Sequence, residues 1–266
     1  MLGKLIKYDL KSAARIFILL HAVYLFICFM ARFFYMNRLS FRDVTEPLVL
    51  SLVLFFSLMT LLISALMIFT WMQVAFRFYR NLFSKEGYLS WTLPISGPQH
   101  LWAKIISGYI LMAADLIIIA AGILLLVTGS NVTTAYSTVA DTVTNELGFS
   151  VGTFALILFI ACLVSAISSV IMTYFSVAVG QLFPSHRVLG AIAAYFITST
   201  VVQILSVILM VLFGCFPGYR TYTLQGSALT DYLLKLLMIS TVLMLVITVI
   251  QYIATHYIMK KKINLI

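Results

Sequence analysis

The sequence predicts an all-α integral membrane protein with six transmembrane helices, an N-terminal amphipathic helix at the membrane interface and both termini in the cytoplasm. Of its 266 residues, 63% are hydrophobic and only 9% are charged, and the mean hydropathy is +1.10. Soluble domains carry about 25% charged residues, so this composition excludes that class. Two further observations are six apolar runs long enough to cross a bilayer and basic residues that cluster on one side of those runs.

The first 15 residues are predicted to form an amphipathic helix on the inner leaflet, separate from a six-helix transmembrane domain over residues 16–266. On a helical wheel the apolar side chains share one face and the basic ones lie mostly opposite. These residues are Leu2, Leu5, Ile6, Leu10, Ala13 and Ala14 on the apolar face, and Lys4, Lys7, Lys11 and Arg15 on the other.

The six predicted spans follow from counting about 20 apolar residues per crossing. They cover residues 16–35, 48–76, 105–129, 151–183, 188–214 and 232–258. The second and the fourth exceed that length, so they must tilt or project beyond the hydrocarbon. All five prolines fall at span ends or in loops, which predicts largely unbroken helices.

The orientation follows from the distribution of lysine and arginine. With the N-terminus inside, the inner segments hold twelve of these residues and the outer segments five. Basic residues concentrate in cytoplasmic loops, so both termini are expected in the cytoplasm. The two longer outer loops have about twenty residues each, too few for an independent domain. One of them contains a match to a glycosylation sequon at Asn131, which an ordinary polar loop explains equally well.

The segment 77–104, with the sequence RFYRNLFSKEGYLSWTLPISGPQHLWAK, is the longest charge-bearing interruption of the apolar sequence. It is predicted to be a cytoplasmic loop, because each charge at mid-membrane costs about 2.5–3.5 kcal/mol. Ser96 and Gln99 have the spacing of a capping box, which predicts that a new helix starts at Ser96. Tyr88, Leu89 and Trp91 would form either an interfacial aromatic belt or a docking surface for a partner.

This loop resembles the first cytoplasmic loop of ABC-2 type transporter permease subunits of Gram-positive bacteria. The resemblance rests on FYRNLFSKEGYLSWTLPIS with a lysine ten residues downstream, and on the opening MLGKLIKYDLKSAARIF. It is close over about a fifth of the residues. Six spans with both termini inside match the same family in architecture.

The resemblance implies a transport subunit of the bacterial cell membrane that works in export rather than import. Such a subunit pairs with a second permease subunit and with cytoplasmic ATPase subunits. The loop would contain the coupling helix, near residues 83–91, and residues 1–15 would be the connecting helix. The ATPase-coupling positions implied by the match are Glu86, Gly87, Tyr88, Leu89, Trp91, Thr92, Leu93 and Pro94. No phosphate-loop motif G-x-x-x-x-G-K-[ST] occurs here, so ATP and magnesium are expected on a separate polypeptide and no cofactor on this chain.

Candidate residues for a translocation path are Asp115, Ser165, Ser169 and Gln203. Asp115 is the only acid deep in a predicted span, and intramembrane carboxylates indicate function by default. A carboxyl group hydrogen-bonded within the helix bundle is the alternative. The small residues of the fourth span predict close helix packing or, alternatively, a hydrophilic lining. Gln203 and His21 are also explained as polar side chains that make their hydrogen bonds within the helix bundle.

Other site classes find little support in the sequence. Cys28, Cys162 and Cys215 are scattered, which predicts neither a disulfide framework nor a zinc site. No catalytic or metal-ligand constellation is evident, so we expect neither an enzyme nor a metal site. The positive net charge of +9 is explained by sidedness and by binding of Lys260–Lys262 to anionic lipid, without nucleic acid.

The sequence therefore predicts the membrane subunit of an ATP-driven ABC-2 type transporter. Two other classes remain open. An ion-coupled secondary transporter would use Asp115 as its proton or cation site. A non-transporting membrane protein, such as an immunity or assembly factor, would have a stable partner without a phosphate loop.

Overall fold

A computed structural model describes residues 2–39, 45–84, 87, 92, 96–216 and 227–261. These residues form seven α-helices and the short 3-10 helix Met36–Arg38, and they contain no β-strand. The α-helices are α1 (Leu2–Phe34), α2 (Glu46–Phe83), α3 (Gly97–Val127), α4 (Ser130–Leu147), α5 (Val151–Gly180), α6 (Arg187–Leu212) and α7 (Ser227–Lys261).

All of these helices except α4 are long and apolar enough to cross a membrane. The predicted all-α class with six spanning helices is therefore confirmed for the described part of the chain. The prolines at the starts of α2 and α3 lie in the first helical turn, where a missing backbone N–H costs nothing. Each of the six helices is continuous, as the placement of the prolines predicts.

The N-terminal segment continues without a break into the first span. Leu2–Phe34 is one helix of 33 residues, or about 50 Å at 1.5 Å per residue. No turn separates residues 1–15 from the span that follows, so this segment extends the span rather than forming a separate element. Its position at a membrane interface stays a prediction.

The predicted helix start at Ser96 is confirmed. Ser96 is the N-cap of α3, and its carbonyl oxygen accepts the N–H groups of Gln99 and His100 at 3.0 and 3.2 Å. Its hydroxyl makes no capping bond to the backbone, so the side-chain part of the predicted capping box is absent.

The segment after the third span, which was expected to be a loop, is the helix α4. Its composition is polar and rich in threonine, and none of its residues is buried. The sequence did contain a helical signal, because Val132, Tyr136, Val139, Val143 and Leu147 recur at spacings of three and four residues. The helix ends at Gly148, whose φ of 79° is the left-handed conformation that favours glycine at a helix C-terminus.

Helix α3 lies at the centre of the bundle and packs against α1, α2, α5 and α7. It runs in the same direction as α1, because residues early in α1 contact residues early in α3 and late residues contact late ones. At the far end, Arg32 caps α3 by donating to the carbonyl oxygens of Leu125 and Thr128, at 2.6 and 3.3 Å, and to the Thr128 hydroxyl. This parallel arrangement is what a first and a third membrane span require.

Two apolar clusters fill the bundle, one toward each end. The first surrounds Phe17 and Leu111, and the second surrounds Tyr24 and Ile119. The boundary between the clusters therefore lies between Phe17 and Tyr24 on α1, and between Leu111 and Ile119 on α3. The polar residues His21 and Asp115 occupy that boundary.

Helix α6 joins the bundle mainly through α5. The two helices approach closely at Gly180, where a Cβ atom would lie 2.6 Å from both the Arg187 oxygen and the Ala191 nitrogen. No residue of α6 is buried in the chain. Its remaining surface is apolar, as expected for a helix that faces lipid or a second membrane subunit.

Candidate functional site: two polar centres between α1 and α3

The first polar centre, which we call the Asp9 cluster, joins α1 to both helices that flank the segment 85–95. Asp9 Oδ1 accepts hydrogen bonds from Arg77 Nη2 at 2.7 Å, Lys104 Nζ at 2.6 Å and Asn81 Nδ2 at 3.2 Å. Asp9 Oδ2 accepts a short hydrogen bond from Ser107 Oγ. Arg77 and Asn81 lie on α2, and Lys104 and Ser107 on α3, so one carboxylate connects three helices.

The cluster is largely shielded from solvent. The side chains of Asp9, Lys104 and Arg77 are 9, 12 and 14% exposed. Arg77 also donates to the Asp9 carbonyl oxygen and to Ser12 Oγ, the latter at 3.1 Å. Attraction between opposite charges is stronger at such a site than at a surface, because water screens it less. The cluster therefore fixes the end of α2 relative to the start of α3.

Asp9 was not among the residues that the sequence predicted to matter. Arg77 and Lys104 were assigned to the cytoplasmic segment 77–104 without a partner, whereas the structure pairs both with one acid. A signal was present, because Asp9 is the only acid among the basic residues of the N-terminal segment.

Most of the predicted ATPase-coupling positions, namely Glu86, Tyr88, Leu89, Trp91, Leu93 and Pro94, lie outside the residues that the structure describes. Gly87 is buried, and its N–H donates to the Ser84 oxygen at 2.8 Å. A Cβ atom there would lie 2.6 Å from the Leu82 oxygen, which explains a glycine at this position. Thr92 is exposed.

The second polar centre is a pair between His21 and Asp115, each about 2% exposed. His21 Nε2 lies 2.6 Å from Asp115 Oδ1, and His21 Nδ1 lies 2.7 Å from the carbonyl oxygen of Phe17. Asp115 is eleven residues beyond Lys104, or about 16 Å along α3, which is half of a hydrocarbon core. Asp115 is therefore buried and hydrogen-bonded within the bundle, to a histidine for which no special role was predicted, and its depth in a membrane stays a prediction.

Asp115 also borders a cavity of about 660 Å³ between α2, α3, α5 and α6. The wall is mainly apolar and includes the aromatic side chains of Trp71, Tyr195 and Phe196. Phe196 is 66% exposed, so the cavity opens at the surface of the bundle. Trp71 is held by a hydrogen bond from Nε1 to Thr173 Oγ1 at 2.8 Å and lies 5.0 Å from the Tyr195 ring.

Three of the four candidate path residues border this one cavity. Ser165 and Ser169 line it together with Asp115, whereas Gln203 is exposed further along α6 and does not. The small residues of α5 lie in two different surroundings. Ser165 and Ser169 line the cavity, while Ser168 packs against α7 and accepts a hydrogen bond from Thr248 at 2.7 Å.

No protein-family model, curated protein or solved structure matches this chain. Among the described residues, no group of three or more histidine, cysteine, aspartate or glutamate side chains could hold a metal ion. The three cysteines lie apart, with Cys28 and Cys215 buried and Cys162 exposed.

Proposed function

We propose that this chain is the membrane-spanning permease subunit of an ATP-driven transporter of the ABC-2 type. In this proposal it assembles with a second permease subunit, which is the same or a different chain, and with a separate cytoplasmic ATPase. It would reside in a bacterial cell membrane with both termini inside, and it would export its substrate.

The observation that carries the proposal is the position of the Asp9 cluster. The segment 85–95 resembles a coupling loop, and Arg77 and Lys104 lie on the two helices that lead into and out of it. Asp9 binds both of these residues. Any displacement of the loop would therefore move α2 and α3 together with α1. A transporter driven from outside the membrane needs such a rigid connection between its loop and its spans.

The proposed mechanism is mechanical. When the ATPase dimer closes on ATP, it displaces the coupling segment, and the connected helices turn between inward-open and outward-open arrangements. Hydrolysis then resets them. The cycle requires that the ATPase binds the two arrangements with different affinity, because a partner that binds both equally cannot shift the equilibrium.

Co-purification in mild detergent with the ATPase encoded by an adjacent reading frame tests this proposal. We expect the native chain to retain the ATPase, and the variant Glu86→Ala/Leu89→Ala to lose it. The matched control is Glu146→Ala/Val139→Ala, which removes an acid and an apolar side chain exposed on α4, away from the Asp9 cluster. Loss in the loop variant alone supports coupling at this loop, whereas a native chain that always purifies alone refutes the proposal.

One observation favours a second candidate, an ion-coupled secondary transporter. The buried His21–Asp115 pair is an ionisable site deep in the bundle and next to a cavity. Under this candidate, transport continues in cells that lack the ATPase and stops in Asp115→Asn. Under the ABC-2 proposal, transport stops when the ATPase is removed.

A further inference from the structure

The hydrogen bonds of His21 define the number of protons held by the pair. The Phe17 carbonyl oxygen can only accept, so His21 Nδ1 carries a hydrogen. The 2.6 Å contact between Nε2 and Asp115 Oδ1 requires one further proton between the two atoms. Whether that proton resides on the imidazole or on the carboxyl group, the pair as a whole is neutral. A neutral pair is the state expected for a site buried in hydrocarbon.

The pair becomes an anion when it loses this shared proton. Asp115 then carries a negative charge, and no lysine or arginine borders the cavity among the described residues. The other titratable groups near it are Tyr24 on α1, Cys162 on α5 and Tyr195 on α6, which are neutral in their protonated forms. Neither α2 nor α7 contributes a charged side chain to the described wall. A bound monovalent cation would restore neutrality.

The cavity favours an organic cation over a bare metal ion. Sodium or calcium would need several oxygen ligands, and the only other side-chain oxygens at the described wall are the hydroxyl groups of Ser165, Ser169 and Tyr195. The volume of about 660 Å³ lies in the range of small-molecule sites. The faces of Trp71 and Tyr195 attract cations electrostatically, and they do so more strongly where water is excluded.

Asp115 can contact such a ligand through the carboxylate oxygen that His21 does not contact, and loss of the shared proton ends the hydrogen bond between Nε2 and Oδ1, because both atoms are then acceptors. Its Oδ1 is occupied by the histidine, whereas Oδ2 has no hydrogen-bond partner among the described residues. We propose that the cavity binds a lipophilic monovalent organic cation against Asp115, in exchange for the proton shared with His21. One positive charge enters and one leaves, so the site stays neutral throughout.

The claim that the cavity binds an organic cation does not depend on what drives transport. The further claim that such a cation is the substrate of the proposed ABC-2 transporter rests on the proposed function. The experiment therefore uses the purified chain without ATPase or nucleotide, so that a failure to bind the cation and a failure to bind the ATPase are separate results.

The probe is tetraphenylphosphonium, a lipophilic monovalent cation, and its binding is measured by equilibrium dialysis in detergent between pH 5 and 9. We expect saturable binding at one site, with the release of one proton per cation bound in a weakly buffered solution. Over the range in which the free pair holds its proton, the affinity should increase up to tenfold per pH unit. The uncharged analogue triphenylphosphine oxide should bind at least tenfold more weakly.

Two variants localise the site. Asp115→Asn should abolish proton release and weaken binding at least tenfold, whereas the control Asp141→Asn, exposed on α4, should bind as the native chain does. If Asp115→Asn does not fold, Ser165→Phe fills the cavity without changing the pair and should also lose the cation. Unchanged binding in folded Asp115→Asn or Ser165→Phe, equal binding of the uncharged analogue, or binding without proton release would each overturn the proposal.

Discussion

Replacing Asp9 of α1 with alanine should destabilise the bundle more than any other single substitution in the Asp9 cluster. The carboxylate accepts hydrogen bonds from Arg77, Lys104, Asn81 and Ser107. Its removal leaves two cations close together in a site where each is at most 14% exposed. Removing one partner of a buried ion pair costs about 3–5 kcal/mol, because the remaining charge keeps its desolvation penalty without compensation.

Graded substitutions separate charge from packing in the Asp9 cluster. Asp9→Asn keeps the shape and one accepting oxygen, so we expect a smaller loss of about 1.5–3 kcal/mol, the value of hydrogen bonds to charged groups. Removing one of the cations as well, in Asp9→Ala/Lys104→Met, should recover part of the loss. The two substitutions share a contact and should therefore be coupled by about 0.5–3 kcal/mol.

The assay is the free energy of unfolding in mixed micelles, followed by circular dichroism during titration with a denaturing detergent. Asp141→Ala and Asp141→Asn are the controls, because they make the same chemical changes at an exposed position. The reasoning is refuted if Asp9→Ala unfolds within about 0.5 kcal/mol of the native chain, as an ordinary surface substitution does.

Three further substitutions test other contacts by the same measurement. Gly180→Ala should cost about 1–3 kcal/mol, because the new Cβ would lie 2.6 Å from backbone atoms of α6, which must shift. Arg32→Ala should cost about 1.5–3 kcal/mol, because the end of α3 loses its charged hydrogen-bond donor. Asn131→Ala should cost about 1–3 kcal/mol, since Nδ2 donates to two carbonyl oxygens, at 2.5 and 3.0 Å, in the segment after α1.

Each of the three has a control of the same residue type. Gly152→Ala adds a Cβ whose nearest neighbour is 3.9 Å away. Arg38→Ala removes an arginine whose guanidinium lies 5.9 Å from the Phe34 ring centre. Asn145→Ala changes an exposed asparagine of α4. A control that destabilises as much as its test variant would show that the named contact is not the cause.

The six spanning helices were predictable because a membrane span needs about 20 apolar residues, a signal that one sequence carries in full. The residues at which these helices end were harder to predict. Helix α2 continues to Phe83, seven residues past the predicted end, because Arg77 finds a buried partner that no local pattern reveals. Helix α4 was missed because a polar segment between two spans was interpreted as a loop, although its apolar residues recur at spacings of three and four.

The polar centres were predictable only in part. Asp115 was identified because a lone acid in an apolar run is costly, and the same argument applied to His21 would have suggested that the two pair. Their separation of 94 residues gives no periodic signal. Asp9 was hidden for a different reason. It stands out as the only acid of a basic segment, but no local pattern identifies its partners, which lie 68 and 95 residues away.

The parallel pairing of α1 with α3 has a consequence for how the chain enters the membrane during synthesis. The polar groups that join the two helices are separated by 93 to 98 residues, so α1 leaves the ribosome well before its partners are made. Until then, His21 would face lipid without a partner, at an unfavourable free energy. The first helix should therefore wait beside the insertion machinery and enter the bilayer together with α2 and α3 as one unit.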